Sequence, residues 1–131
     1  YRTVMTRRGD YFVGLDQRCR IANSLSNAIF VSVHFNSAPR EGASGIETYY
    51  YSRRSGSLAS AVHRSVVRAT GSEDRRVRAR GFYVIRNTRC PAILVEGGFL
   101  TNRSEGARIA GSGTHRQRLA DSIARGIRSR Y

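Results

Sequence analysis

The sequence predicts an α/β fold, an open, mostly parallel or mixed sheet flanked by helices, and three observations carry that prediction. Short runs rich in β-branched and apolar residues alternate along the chain with segments whose apolar positions recur every three or four residues. One run, residues 28–34, is almost continuously apolar, as suits a strand covered on both faces. The 131 residues hold no repeat, no low-complexity tract and only two prolines, so residues 1–131 read as a single ordinary domain.

Each element follows from its local pattern. Residues 3–6 are short and β-branched, and the turn-like cluster Arg7, Arg8, Gly9, Asp10 follows them, which reads as a strand and a turn. Leu15, Cys19, Ala22 and Leu25 then share one face of an amphipathic helix closing near Asn27. Residues 28–34 are the candidate central strand. A loop over residues 36–44, with Pro39, leads to a β-branched and aromatic strand at residues 45–51. Residues 57–70 set Leu58, Val62, Val66 and Ala69 on one helical face, with Gly71 as the stop signal. Residues 72–80 read as a charged connector, and residues 82–86 and 92–96 as two short strands, the second ending at Glu96. Asn102 with Glu105, and Thr114 with Gln117, resemble capping boxes opening two final helices, in the second of which Leu119, Ile123 and Ile127 recur every fourth residue.

The charge balance is one-sided. All 23 basic side chains are arginine, against 9 acidic ones, for a net charge of +14. Arginine forks pair with carboxylate and phosphate, so an anionic polymer such as nucleic acid or bacterial cell wall is the implied partner, although coding bias produces arginine-only surfaces without any ligand. The consecutive Tyr49, Tyr50 and Tyr51 alternate faces and build no stacking platform, and no helix-turn-helix or zinc-finger spacing occurs, which argues against specific nucleic-acid binding. No apolar run approaches the roughly 18 residues of a membrane span, and no signal-peptide pattern opens at residue 1. Cys19 and Cys90 lack C-x-x-C spacing and read as two small buried residues or one disulfide.

Reactive groups in open α/β sheets collect beyond the carboxyl ends of strands, and His34 and Glu96 lie there. An imidazole is a common metal ligand, and a carboxylate between an apolar strand and two glycines can be tuned as a general base.

The wording around these residues resembles the zinc-dependent N-acetylmuramoyl-L-alanine amidases of the amidase-3 type. The resemblance rests on FVSVHFN at residues 30–36 and PAILVEGGFLTN at 91–102, with MTRRGDYFVGLDQRCRIAN at 5–23, SGIETYYY at 44–51 and GFYVIRNTRCPAILVE at 81–96 in family order. It implies an enzyme of the cell envelope, periplasmic or secreted, that acts on peptidoglycan, with anionic wall polymers as further partners. The implied reaction cuts the amide between N-acetylmuramic acid and the first L-alanine of the stem peptide. The implied cofactor is Zn2+, with His34 as one zinc ligand and Glu96 as the catalytic carboxylate.

The family pattern has two further ligands, a histidine after the first strand and a glutamate on the following helix, and neither has a counterpart here. The reading is therefore an N-terminally truncated catalytic domain, without the first strand and helix of the family fold and with an exposed sheet edge in their place. On this reading the chain by itself has little activity, and the alternative is a basic polyanion-binding module without catalysis. His63 and His115 fall outside the motifs and read as surface residues. Arg7, Asp10 and Arg18 are expected to lock a strand-to-helix corner by ion pairing, and Glu47 to face solvent or the cleft. Asn36, Arg86 and Asn102, near predicted strand ends, are candidate substrate contacts. Only residues 52–56 lie where some relatives carry an inhibitory insertion.

Overall fold

The computed structural model describes residues 1–131. Its elements are α1 (Leu15–Asn23), β1 (Phe30–Asn36), β2 (Ile46–Tyr50), a 3-10 turn (Arg53–Ser55), α2 (Gly56–Thr70), β3 (Asp74–Ala79), α3 (Tyr83–Arg86), β4 (Ala92–Phe99), α4 (Arg103–Gly111) and α5 (Gly113–Arg128). The strands form one open mixed sheet in the order β1-β4-β2-β3. β1 and β4 are parallel, β2 and β3 are parallel, and β2 runs antiparallel to β4.

Side-chain alternation divides the core between the two faces of the sheet. On one face Ile46, Ile93 and Val95 pack against Leu58, Ala59, Val62 and Val66 of α2 and Leu119 and Ile123 of α5. α2 and α5 approach closely because Gly126 carries no side chain: a Cβ there would lie 2.5 Å from the Val62 Cα. On the other face Phe30, Tyr49, Ala92 and Leu94 pack against Cys19 and Ala22 of α1 and Val84 and Ile85 of α3. This second cover stops short of the carboxyl ends of β1 and β4, where the sheet turns polar.

Several elements differ from the sequence expectations, each for a physical reason. Residues 3–6 form no strand, because no neighbouring strand completes a ladder with them, and Val4 and Met5 are exposed. β1 is an edge strand rather than a central one; β4 is its one neighbour, and Val33 is 53% exposed. α1 ends at Asn23, and of its expected apolar face only Cys19 and Ala22 are buried, Leu15 and Leu25 being exposed.

The charged connector at 72–80 contains β3, a strand held by its backbone ladder to β2 and not by burial, as suits a charged sheet edge. Residues 82–86 hold a single helical turn, which buries the adjacent Val84 and Ile85 together where a strand would point them apart. β4 continues past Glu96 to Phe99. α5 is capped by Ser112, whose hydroxyl accepts from the His115 amide, rather than by Thr114.

Two side-chain expectations are corrected by the structure. His63 and His115 are buried, at 3% and 8% exposure, and not on the surface. Arg7, Asp10 and Arg18 form no ion pairs with one another. Arg18 Nε donates to the Val13 carbonyl at 2.9 Å and Arg7 to the Tyr11 carbonyl at 3.1 Å, so the corner is closed through backbone oxygens. Both cysteines are free thiols, Cys19 buried and Cys90 partly so.

Candidate active site

Three adjacent strands place His34, Glu96 and Glu47 in one row. His34 of β1 is the register partner of Glu96 of β4, and Glu96 in turn is the partner of Glu47 of β2. Registered neighbours point to the same face, so the three side chains share the rim left open beyond α1 and α3. The sequence singles out His34 and Glu96 because each follows an apolar run. Alternation with Ile46 and Thr48 also leads the sequence to expect Glu47 on a solvent or cleft face; its place beside Glu96, buried rather than solvent-facing, depends on the antiparallel register of β2 against β4.

The environments of the two carboxyl groups differ. Glu96 Oε2 is buried without a hydrogen-bond partner. Burial, and then the negative charge of Glu47, push the Glu96 pKa up to about 7. Glu47 is buried, hydrogen-bonded through one oxygen and ion-paired through the other. Its Oε2 accepts from Tyr49 Oη at 2.8 Å and from Asn36 Nδ2 at 3.2 Å, while Oε1 faces Arg75 Nε at 3.5 Å and Arg78 Nε at 3.8 Å. Burial, reinforced by the Glu47 bond, raises the Tyr49 phenol to about 12, so it stays a donor at working pH. His34 Nε2 lies 3.0 Å from Ser32 Oγ. Partial burial, then Arg18 and Arg7, hold the His34 pKa below its ordinary value, which favours the neutral ring at pH 7.

Two irregularities aim residues at this rim. Between His34 and Asn36 the β1–β4 register slips, so that Gly97 and Gly98 together oppose Phe35 and Phe99 becomes the partner of Asn36. Gly98, at φ 128, also lets the Glu105 carboxylate approach; a Cβ there would lie 2.9 Å from Glu105 Cδ. Glu105 is 4% exposed and accepts from the Phe99 amide at 2.7 Å and the Gly45 amide at 3.1 Å, which ties the end of β4 to the start of β2. In β3 the register slips between Asp74 and Val77, with Arg76 at φ 78, so Arg75 and Arg78 both reach the Glu47 side.

The other candidates fall in different places. Asn36 belongs to the site through its bond to Glu47. The Asn102 side chain is used in structure: Oδ1 caps α4 by accepting from the Glu105 amide at 3.0 Å, and Nδ2 donates to the Glu41 carbonyl at 3.1 Å. Arg86 is exposed at the end of α3, beside Asn87, whose carbonyl accepts from Asn23 at the C-terminal end of α1. Arg75 and Arg78 were hidden in the charged connector and had no sequence signal beyond their spacing.

Residues 1–129 match the Amidase_3 family, N-acetylmuramoyl-L-alanine amidase. The chain belongs to that family. Among similar proteins, it is 38% identical to YqiI, an uncharacterized protein of Bacillus subtilis (strain 168), over 98% of this chain and 63% of that one. It is 31% identical to the N-acetylmuramoyl-L-alanine amidase LytC of the same organism, over 98% of this chain and 26% of LytC. The chain thus spans less than two thirds of either relative.

Among solved structures, the catalytic domain of the amidase CwlV from Bacillus (Paenibacillus) polymyxa var. colistinus superposes with a TM-score of 0.92 at 39% identity, over 97% of this chain and 70% of that one. The amidase AmiC2 of Nostoc punctiforme gives 0.91 at 38%, over 97% and 71%. The open mixed sheet flanked by helices is the fold of these catalytic domains. No three histidine, cysteine, aspartate or glutamate side chains of this chain converge closely enough to hold a metal ion.

Proposed function

We propose that this chain is the catalytic part of a peptidoglycan hydrolase that cleaves the amide between N-acetylmuramic acid and the L-alanine of the stem peptide, in the periplasm or outside the cell. The observation that carries the reading is the row His34, Glu96, Glu47, in which Glu96 keeps an unpartnered buried oxygen and a pKa of about 7. A carboxyl group poised near neutrality accepts a proton from an attacking water and returns it to the departing amine. The unpartnered oxygen is the acceptor such a water needs. Tyr49 and Asn36 hold Glu47 from one side and the two arginines from the other, so the neighbour that raises Glu96 is itself fixed.

Zinc is the cofactor implied by the family. A catalytic zinc takes three protein ligands and keeps one open position. The row supplies one imidazole, so the residues present do not complete such a site, and no step is derived through the metal. We infer that the chain by itself binds zinc weakly and cleaves slowly. Metal analysis of the purified chain, together with release of stem peptides from peptidoglycan, tests this. Stoichiometric zinc with efficient cleavage overturns the ligand argument. Joined to the N-terminal portion of a full-length family member, the chain gains both, and Glu96→Gln then lowers cleavage by about 10²–10⁴-fold. Cleavage that survives the substitution removes Glu96 from the mechanism.

The net charge of +14 supports an additional contact with anionic wall polymer. Arg64, Arg68 and Arg125 line a shallow groove between α2 and α5 and have no acidic partner. Co-sedimentation with purified wall should fall between low salt and about 0.5 M, where the Debye length is well under 10 Å. Binding indifferent to salt refutes an electrostatic contact.

A further inference from the structure

We propose that Arg75 and Arg78 form a carboxylate clamp that reads a free acid group on the stem peptide beside the scissile amide, a reading that rests on the function proposed above. The starting point is the backbone of β3. An unbroken strand would send Arg75 and Arg78 to opposite faces of the sheet. The bulge gives two residues, Arg75 and Arg76, to the single position opposite Glu47, and this brings Arg75 and Arg78 to one face. Arg76 occupies the left-handed region to make it happen, at φ 78, a conformation costly for a residue with a side chain. Strain of this kind persists where the surroundings hold it.

Here the hold comes through the sheet from the other face. Asp74 Oδ1 accepts from the Arg76 amide at 2.8 Å and from His63 Nε2 at 2.8 Å, and His63 Nδ1 lies 3.0 Å from Thr48 Oγ1. His63 and Thr48 are buried, at 3% and 0% exposure, with no path to substrate. The His63 relay therefore fixes the bulge and does no chemistry of its own.

The charges held by the bulge are unbalanced. One carboxylate, Glu47, stands against two guanidiniums, and each meets it through Nε at 3.5 and 3.8 Å, beyond ordinary hydrogen-bond length. Arg75 Nε has no hydrogen-bond partner, and Arg78 donates only from Nε, to the Arg75 carbonyl at 3.3 Å. The terminal nitrogens of both side chains make no hydrogen bond within the protein. Arg75 is also set in place by Phe99, its guanidinium 5.0 Å from the ring centroid.

Two forks with free terminal edges suit a carboxylate, which they can grip bidentately. The distance suits one as well. The arginines lean onto Glu47, one strand spacing, about 5 Å, from Glu96. A peptide covers about 3.8 Å per residue between Cα atoms, so an acid group on the second stem residue reaches the clamp while the first amide lies at Glu96.

The test is calorimetric titration of the 131-residue chain with N-acetylmuramoyl-L-alanyl-D-isoglutamine and with its α-free-acid counterpart, both with the γ-carboxyl blocked as its methylamide, so that the two differ only in the α-carboxylate. The acid is expected to bind about tenfold more tightly, as befits charge-assisted hydrogen bonds. Arg78→Gln, at an exposed position, should abolish the difference in affinity between the two ligands. Arg75→Gln should do the same in a chain whose circular dichroism is unaltered. Equal affinity for acid and amide, or a preference that survives Arg78→Gln, overturns the clamp while leaving the muramoyl-peptide reading standing. Failure of both ligands to bind overturns that reading and the clamp with it.

Discussion

Glu96→Gln should stabilise the chain at alkaline pH and leave it unchanged near pH 4. Burial, followed by the charge of Glu47, lifts Glu96 from its ordinary 4.5 to about 7. Between those values the folded protein keeps a proton that the unfolded chain has released. The contribution of this group to stability is therefore fully present below about pH 4.5 and is lost as the pH rises through about 7. At 1.36 kcal/mol per pH unit, the interval corresponds to ~3.4 kcal/mol above pH 7. Glu96 is only partly buried, and solvent screening reduces the figure to about 1–2 kcal/mol. Glutamine matches the shape and carries no charge, so it restores that amount. Urea unfolding in chelating buffer at pH 4 and pH 8 reads the effect. With a slope of about 1–3 kcal/mol per molar urea, the midpoint should rise by roughly 0.5–1 M at pH 8 and stay put at pH 4. A variant no more stable than wild type at pH 8, or one with the same gain at both pH values, would refute the reasoning.

Three other outcomes are expected. Gly126→Ala pushes a Cβ to 2.5 Å from the Val62 backbone, forces α2 and α5 apart and costs about 1–3 kcal/mol, visible as a lower melting temperature; an unchanged one means that the helices yield freely. Arg76→Gly relieves the left-handed backbone of β3 and should stabilise by about 1 kcal/mol in thermal or urea unfolding, whereas a loss would show that the Arg76 side chain is itself needed. Asp74 titrates below its ordinary 3.8 because His63 and then the Arg76 amide bind its carboxylate, so its contribution is present above that pH and lost as pH falls through the folded value. Asp74→Asn should thus lower the melting temperature more at pH 7 than at pH 2; equal losses at both would place its role in packing rather than charge.

Much of the fold was legible where burial imposes a period. Leu58, Val62 and Val66 predict α2 because they repeat on one helical face, and Ala92 to Val95 predict β4 because the strand is buried on both sides. What the sequence hides depends on partners distant in the chain. The apolar run around Phe30 to Val33 describes a strand worth covering but says nothing about its rank in the sheet, and it proved an edge. The run from Asp74 to Ala79 has no apolar face, since its ladder is made of backbone alone, and so it passed for a connector. His63 reads as a surface residue because its partners, Thr48 and Asp74, lie not on its own helix but on two strands. At the site, His34 and Glu96 stood out through the apolar runs ahead of them. Glu47, Arg75 and Arg78 needed the register of β2 and the bulge of β3, which are tertiary facts.

The strand order carries a consequence for how the molecule comes into being. β1 and β2 follow one another closely in sequence, yet they never touch through the ladder; β4, made last of the four, lies between them. Phe30 waits for Ala92, and Glu47 for Glu96, so every pairing that assembles the row is a long-range closure. Closures of that kind are slow, and the half-built sheet exposes bare edges in the meantime. A growing chain can therefore build β2, α2 and β3 as a local unit while His34 and Glu47 remain apart. The row of His34, Glu96 and Glu47 comes into existence only when β4 slides between β1 and β2.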